Sequence, residues 1–161
     1  MPWPLKNTAL ESNELSMKHA LTHDQVTGFA MPSFFEQEAL QLLSFCQRTH
    51  ANVALFHIAI KPEDAPEEVF YTLGERLKEK ARESDIFARL SPAVFGCLSV
   101  ETSPDHIELL TDKFQQALSK PVELPDGSSV AVEVKIGVGR FPATSQNFKE
   151  LMDHARSDLG Q

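Results

Sequence analysis

Apolar positions recur along this chain with two periods. In SFFEQEALQLLSFCQRTH, Phe35, Ala39, Leu42, Leu43 and Cys46 share one face at helical spacing, and the run follows the breakers Gly28 and Pro32. Ser33, with Glu36 three residues on, has the form of a helix cap. NVALFHIAI is continuously apolar instead of alternating, the pattern of a central strand covered on both faces. KPEDAP breaks it. EEVFYTLGERLKEKARES returns to helical spacing, with Glu67 and Glu68 in its first turn and cations toward its end, in line with the helix dipole.

DIFARL and VFGCLSV flank Ser91-Pro92-Ala93 and predict a β-hairpin. SPDHIELLTDKFQQALS predicts a helix capped by Ser103 with Pro104 at its first position. PVELPDGSSVAVEVKIGVGRFP predicts a second hairpin, because in Pro125-Asp126-Gly127 proline presets one turn angle and glycine accepts the positive one. NFKELMDHARSDL predicts a closing helix. At the other end, the first residues carry Pro2 and Pro4 and no period, a loose leader. ALESNELSMKHALTH then puts Leu10, Met17 and Leu21 on one face of a short helix able to meet a partner. The predicted order is helix, helix, strand, helix, strand, strand, helix, strand, strand, helix, which is the α/β class.

Composition narrows the function. At 161 residues, 42% apolar and 24% charged, the chain is expected to be one folded domain, which argues against disorder and membrane insertion. The absence of a signal-like apolar core near the start predicts a cytoplasmic protein. Net charge of −8 opposes broad binding to DNA or RNA but leaves room for a small anion at a local basic spot. Cys46 and Cys97 lie inside apolar runs and read as buried free thiols. Phe29, Phe34, Phe35, Phe45, Phe56, Phe70, Phe87 and Phe95 are spread over several elements and read as core, not as a stacking platform. No phosphate-binding glycine loop, zinc spacing or nucleophile elbow appears.

Several strings gain meaning in order. Asp24-Gln25-Val26-Thr27-Gly28 is similar to D-x-L-T-G; Arg82-Glu83-Ser84-Asp85 and Ala88-Arg89-Leu90 are similar to R-x-S-D and A-R-L; Lys135-Ile136-Gly137-Val138 and Phe141-Pro142 are similar to S-I-G-V and F-P. With ELMDHARSDL as a last helix, the stretch from Asp24 to Leu159 resembles a GGDEF domain, the family of diguanylate cyclases that make cyclic di-GMP. The resemblance implies a mixed, mainly antiparallel sheet of about five strands flanked by helices, with residues 1–23 as leader and short helix and 24–161 as the domain.

The signature itself departs from the family. Ser91-Pro92-Ala93-Val94-Phe95 stands where the resemblance implies G-G-D-E-F, so only Phe95 matches. Family glycines let backbone approach the nucleotide, and the acidic residue binds metal; Pro92 removes an amide donor, and Ala93 and Val94 supply no carboxylate. His57 and Ala59 replace a D-x-D, and neutral imidazole is a poor ligand for hard Mg²⁺. In an apolar strand His57 reads as a core or rim histidine. KPEDAPEE is shorter than the segment that reads guanine in the family: Glu67 falls near its Asp, its Asn has no counterpart, and Met31 and Pro32 replace a further Asn and Arg. The resemblance therefore implies a degenerate homologue that is not an enzyme, with no catalytic residues, no metal site and no cofactor.

Arg82 and Asp85 match the family's inhibitory R-x-x-D, which binds product cyclic di-GMP: a guanidinium contacts phosphate or guanine acceptors, and the carboxylate accepts from the guanine edge. Lys113 is the basic residue placed to complete such a site. The same pair reads equally well as a solvated ion pair at a helix end. Arg89 reads as a strand-end arginine paired with a helix carboxylate. The expected function is that of a cyclic di-GMP receptor using Arg82, Asp85 and Lys113. The alternative is a ligand-free protein interaction or dimerisation module with a protein partner or a second copy, and an active cyclase would need carboxylates from another subunit.

Overall fold

In a computed structural model, residues 21–159 are described; the expected leader and most of the first short helix lie outside them. The elements are α1 (Pro32–Thr49), β1 (Val53–Lys61), α2 (Glu67–Lys80), β2 (Ile86–Ser91), β3 (Val94–Val100), α3 (His106–Leu118), β4 (Val122–Glu123), β5 (Ser129–Val130), β6 (Glu133–Phe141) and α4 (Phe148–Asp158). A four-stranded sheet runs β2-β3-β1-β6 with antiparallel pairings throughout, and β4 and β5 form a separate two-stranded sheet.

β1 is central because both of its faces are apolar. Ala54, Phe56, Ile58 and Ile60 meet Phe70, Leu73, Leu77, Leu110 and Phe114 from α2 and α3. Val53 and Leu55 turn the other way, onto Phe35, Ala39 and Leu43 of α1 and Leu151 and Ala155 of α4. The result is a sheet between two helical layers, each with its own apolar core. Cys46 and Cys97 are buried and unpaired, and Phe29, Phe35, Phe56, Phe70 and Phe95 are core residues.

The sequence and the structure differ in four places. Phe45 is 54% exposed on the outer side of α1 and does not belong to the core. α1 starts at Pro32 with Met31 as its cap residue, so Ser33 lies inside the first turn. α3 starts at His106, not Pro104: Ser103 lends its carbonyl to the His106 amide and its hydroxyl to Asp105. The Pro125-Asp126-Gly127 turn forms, with Gly127 at φ 88°, but it closes only β4 on β5. The long strand that follows leaves that hairpin and pairs with β1 from Glu133 to Phe141. The main sheet therefore has four strands where about five were expected. No helix of the described residues is long and apolar enough to cross a membrane.

Candidate functional site

The β2–β3 hairpin projects from one end of the sheet. Ser91 pairs with Val94 across a turn of Pro92 and Ala93, and the register shifts between Arg89 and Ser91. Ala93 is buried, and its carbonyl accepts from Ile60 of β1, which fastens the tip to the centre of the sheet. A recess of about 300 Å³ beside the tip is lined by Ala59, Ile60, Ser91, Pro92, Ala93, Val94 and one carboxylate, Glu63, which the sequence reading did not single out. His57 lies between Gly96 and Gly137 in the ladder and on the side of β1 that faces α4, beneath Gly137's close approach to that helix. Its Nδ1 is buried without a hydrogen-bond partner among the described residues, and burial, reinforced by the Arg156 charge, holds the imidazole below its ordinary pKa. Among the described residues no group of three or more His, Cys, Asp or Glu side chains is arranged to hold a metal ion.

Below the tip, Arg89 is committed at every nitrogen. Nη1 donates to both oxygens of Asp24 at 3.2 and 3.1 Å and to Glu67 at 3.0 Å; Nη2 reaches Glu67 and the Pro92 carbonyl; Nε reaches Pro92 again. Burial alone would lower its pKa, but the hydrogen bonds and charges of Glu67 and Asp24 outweigh that and hold it above the usual value. The expected helix carboxylate is thus present as Glu67, and Asp24 joins it. Met31 and Pro32 line the same 360 Å³ hollow as this cluster.

Arg82 sits at the opposite end of β2, where α2 hands over to the sheet. Its backbone amide donates to Asp85 Oδ2 at 3.0 Å, and its Nη2 donates to Asp85 Oδ1 at 3.3 Å, Ser99 Oγ at 2.9 Å and the Val100 carbonyl at 2.6 Å. Asp85 is turned inward, with its side chain 1% exposed, while that of Arg82 is 40% exposed. Both Asp85 oxygens are therefore engaged inside the protein. Nε and Nη1 of Arg82 carry no hydrogen bond among the described residues.

Lys80, Arg82 and Lys113 border one recess of about 200 Å³ with Asp85, Thr102 and His106. The residues singled out from sequence as a binding set are therefore neighbours in space; Lys80 and His106 had not been singled out. A larger hollow of about 460 Å³, lined by Gln47, His50, Asn52 and Gln146 among others and by no Asp, Glu, Lys or Arg, lies beside β6's far end and shares no residue with this set.

Known proteins share both sequence and fold with this chain. The sequence model of the family described as diguanylate cyclase, GGDEF domain, matches residues 63–161. The cyclic di-GMP phosphodiesterase NbdA of Pseudomonas aeruginosa is 22% identical over 94% of this chain, which spans 20% of NbdA. The diguanylate cyclase TpbB of the same species is 24% identical over 91% of this chain, which spans 36% of TpbB. The chain thus corresponds to a minor part of these longer relatives. Among solved structures, the GGDEF domain of TpbB superposes with a TM-score of 0.81 at 23% identity, covering 86% of each chain. The coiled coil and GGDEF domain of Caulobacter crescentus DgcB in complex with c-di-GMP gives 0.85 at 13% identity, covering 99% of this chain and 89% of that one.

Proposed function

This chain belongs to the GGDEF domain family, and from that premise we propose that it is a non-catalytic signalling domain that binds cyclic di-GMP at the Arg82 recess, in the cytoplasm. The observation that carries the reading is the convergence of Lys80, Arg82 and Lys113 on one recess in a protein of net charge −8. A local cationic spot on an acidic surface selects a compact anion and rejects a long polyanion, which suits a cyclic dinucleotide with two phosphates. Arg82 is held in place by Asp85, Ser99 and Val100, so little side-chain freedom is lost when a ligand docks. Asp85 serves here by orienting Arg82, since its oxygens face inward. DgcB, solved with c-di-GMP bound, and the relatives named for making or degrading that nucleotide support the choice of ligand.

The hairpin supports the non-catalytic half. Phosphoryl transfer needs divalent metals held by carboxylates. The tip offers Ser91, Pro92, Ala93 and Val94, and Glu63 stands there without a second carboxylate lining the recess. A second reading, docking of a protein partner without nucleotide, is favoured by Leu40 and Phe45, 52% and 54% exposed on α1.

Calorimetric titration with cyclic di-GMP, beside GTP with Mg²⁺, tests the proposal. The expected result is a dissociation constant of about micromolar or tighter, weakened at least roughly tenfold in Arg82→Ala as charge-assisted hydrogen bonds are lost. No binding in a folded sample would leave the docking reading. Conversion of GTP to cyclic di-GMP would overturn the non-catalytic one.

A further inference from the structure

Behind the recess, Arg82 is linked to a histidine through a buried hydroxyl. Ser99, fully buried on β3, donates to Asp85 Oδ1 at 2.7 Å, accepts from Arg82 Nη2 at 2.9 Å, and lies 2.9 Å from His106 Nε2. A hydroxyl has one proton to give, and an ionised carboxylate can only accept. That proton goes to Asp85, so His106 Nε2 must donate. The neutral imidazole is thereby fixed as the Nε2–H tautomer, and Nδ1 keeps a lone pair facing the Thr102 hydroxyl at 3.3 Å. A proton arriving from solvent binds at Nδ1 and leaves the chain to Ser99 unbroken.

His106 borders the same recess as the three cations. The charged groups around it are Arg82 and Asp85 ahead of β2, Glu101 and Asp105 ahead of α3, and Lys80 and Lys113 across the recess; Cys97 on β3 stays a neutral thiol, because burial and then the Asp85 charge push its pKa up. Burial, followed by the Arg82 charge, holds the imidazole below its ordinary value against the opposing pull of Asp85, Glu101 and Asp105. A phosphate-bearing ligand beside Arg82 adds negative charge and shifts that balance upward.

We propose that His106 is a positioning residue for Arg82, acting through Ser99, and that it takes up a proton from solvent at Nδ1 when a phosphate-bearing ligand enters the recess. The inference rests on the reading of this recess as an anion site. It makes affinity pH-dependent: binding tightens as pH falls, because the ligand favours protonated His106.

Two experiments test it. Without ligand, ¹⁵N NMR should show His106 as the Nε2–H tautomer and Arg82 with slowed guanidinium rotation. That slowing should be reduced in Ser99→Ala, where Asp85 and the Val100 carbonyl alone hold Nη2, and kept in His106→Gln, whose amide can still donate to Ser99. The opposite tautomer, or an unchanged Arg82 signal in a folded Ser99→Ala variant, overturns the positioning role. With cyclic di-GMP, titration at about pH 8 and about pH 5.5 in buffers of different ionisation heat should show up to roughly tenfold tighter binding at the lower pH, the factor that one unit of ligand-induced pKa rise gives. Proton uptake should accompany it, and His106→Gln should remove both effects. Binding by the unaltered protein that ignores pH overturns the linkage. If cyclic di-GMP fails to bind at either pH, the receptor reading falls by itself, and the linkage is decided with sulfate: a His106 titration curve that sulfate does not move toward higher pH overturns it.

Discussion

Two arginines seven positions apart have different fates, set by where their nitrogens point. Arg82 uses Nη2 to brace itself and leaves the rest of its guanidinium at the surface. Arg89 is 7% exposed at its side chain, lies 5.0 Å over the Phe70 ring, and ties the Asp24 turn, the start of α2 and the hairpin tip together. Asp24 in turn accepts from the Thr27 amide and hydroxyl at 2.9 and 2.8 Å. Burial by itself would raise its pKa, but the bonds from Thr27 and Arg89 win and lower it. Arg89→Ala leaves Asp24 with a half-buried, uncompensated charge and is expected to cost about 3–5 kcal/mol. Arg89→Lys is expected to cost less, because it keeps a positive charge beside Asp24, but still to destabilise, since one ammonium cannot reproduce the guanidinium's fork toward three partners. Glu67, exposed at 58% of its side chain, contributes a screened share, so Glu67→Gln should cost under about 1 kcal/mol. Urea denaturation followed by circular dichroism measures all three, and an Arg89→Ala protein within about 1 kcal/mol of the unaltered one would sink this assignment. Sequence alone paired Arg89 with a helix carboxylate. It did not find Asp24, 65 positions away, because nothing local connects the two.

At the level of elements, α4 reaches the sheet through two glycines of β6. A Cβ on Gly137 would collide with the Ala155 carbonyl, and one on Gly139 would stand 2.5 Å from the Leu151 carbonyl. Neither glycine has a positive φ, so the requirement is space for a helix backbone and not chain flexibility. Gly137→Ala must lift α4 from β1 and β6 and is expected to cost about 3 kcal/mol or more, at the upper end of overpacking changes. Hydrogen exchange should show the loss concentrated in α4 and β6, with α2 and α3 protected nearly as before; uniform deprotection would contradict it. Helices and central strands were legible because burial imposes the period that the sequence shows: β1's unbroken apolar run is the mark of a strand covered twice. The partner of β6 was not legible. Its turn chemistry points to the preceding β-strand, yet β6 pairs with β1, a choice made by long-range burial. The cap positions of α1 and α3 slipped for a related reason, since Pro32 starts a helix without any side-chain cap and Ser103 spends its hydroxyl on Asp105. Likewise Ser99 and His106 carry no local signature; they matter because β3 and α3 bring them to Arg82.

For the molecule as a whole, the two histidines and the aspartate whose pKa values are lowered, His57, His106 and Asp24, bear on stability in the same direction. Burial, then the Arg156 charge, lowers His57; burial, then the Arg82 charge, lowers His106, in both cases from an ordinary value of 6.5. The unfolded chain therefore binds protons at these sites before the folded one does. Their stabilising contribution is complete above about pH 6.5 and is lost as pH falls through the lower folded values. Asp24, lowered from 3.8, adds a contribution that is complete above about pH 4 and lost only in stronger acid. The melting temperature should accordingly decline as pH is taken from about 7.5 to about 5, before any carboxylate contribution is lost. His57 tests the source of that decline, because its Nδ1 is buried between Gly96 and Gly137 with no hydrogen-bond partner among the described residues. His57→Leu removes the unsatisfied nitrogen and the proton site together, so it should stabilise the neutral-pH protein by about 1 kcal/mol and flatten the decline. A variant that melts lower at neutral pH and keeps the full slope would show that the histidine is satisfied and that the acid sensitivity arises elsewhere. On the proposed linkage through His106, binding at the Arg82 recess strengthens toward acid, so saturating cyclic di-GMP should offset part of the decline in the unaltered protein, and not in His106→Gln.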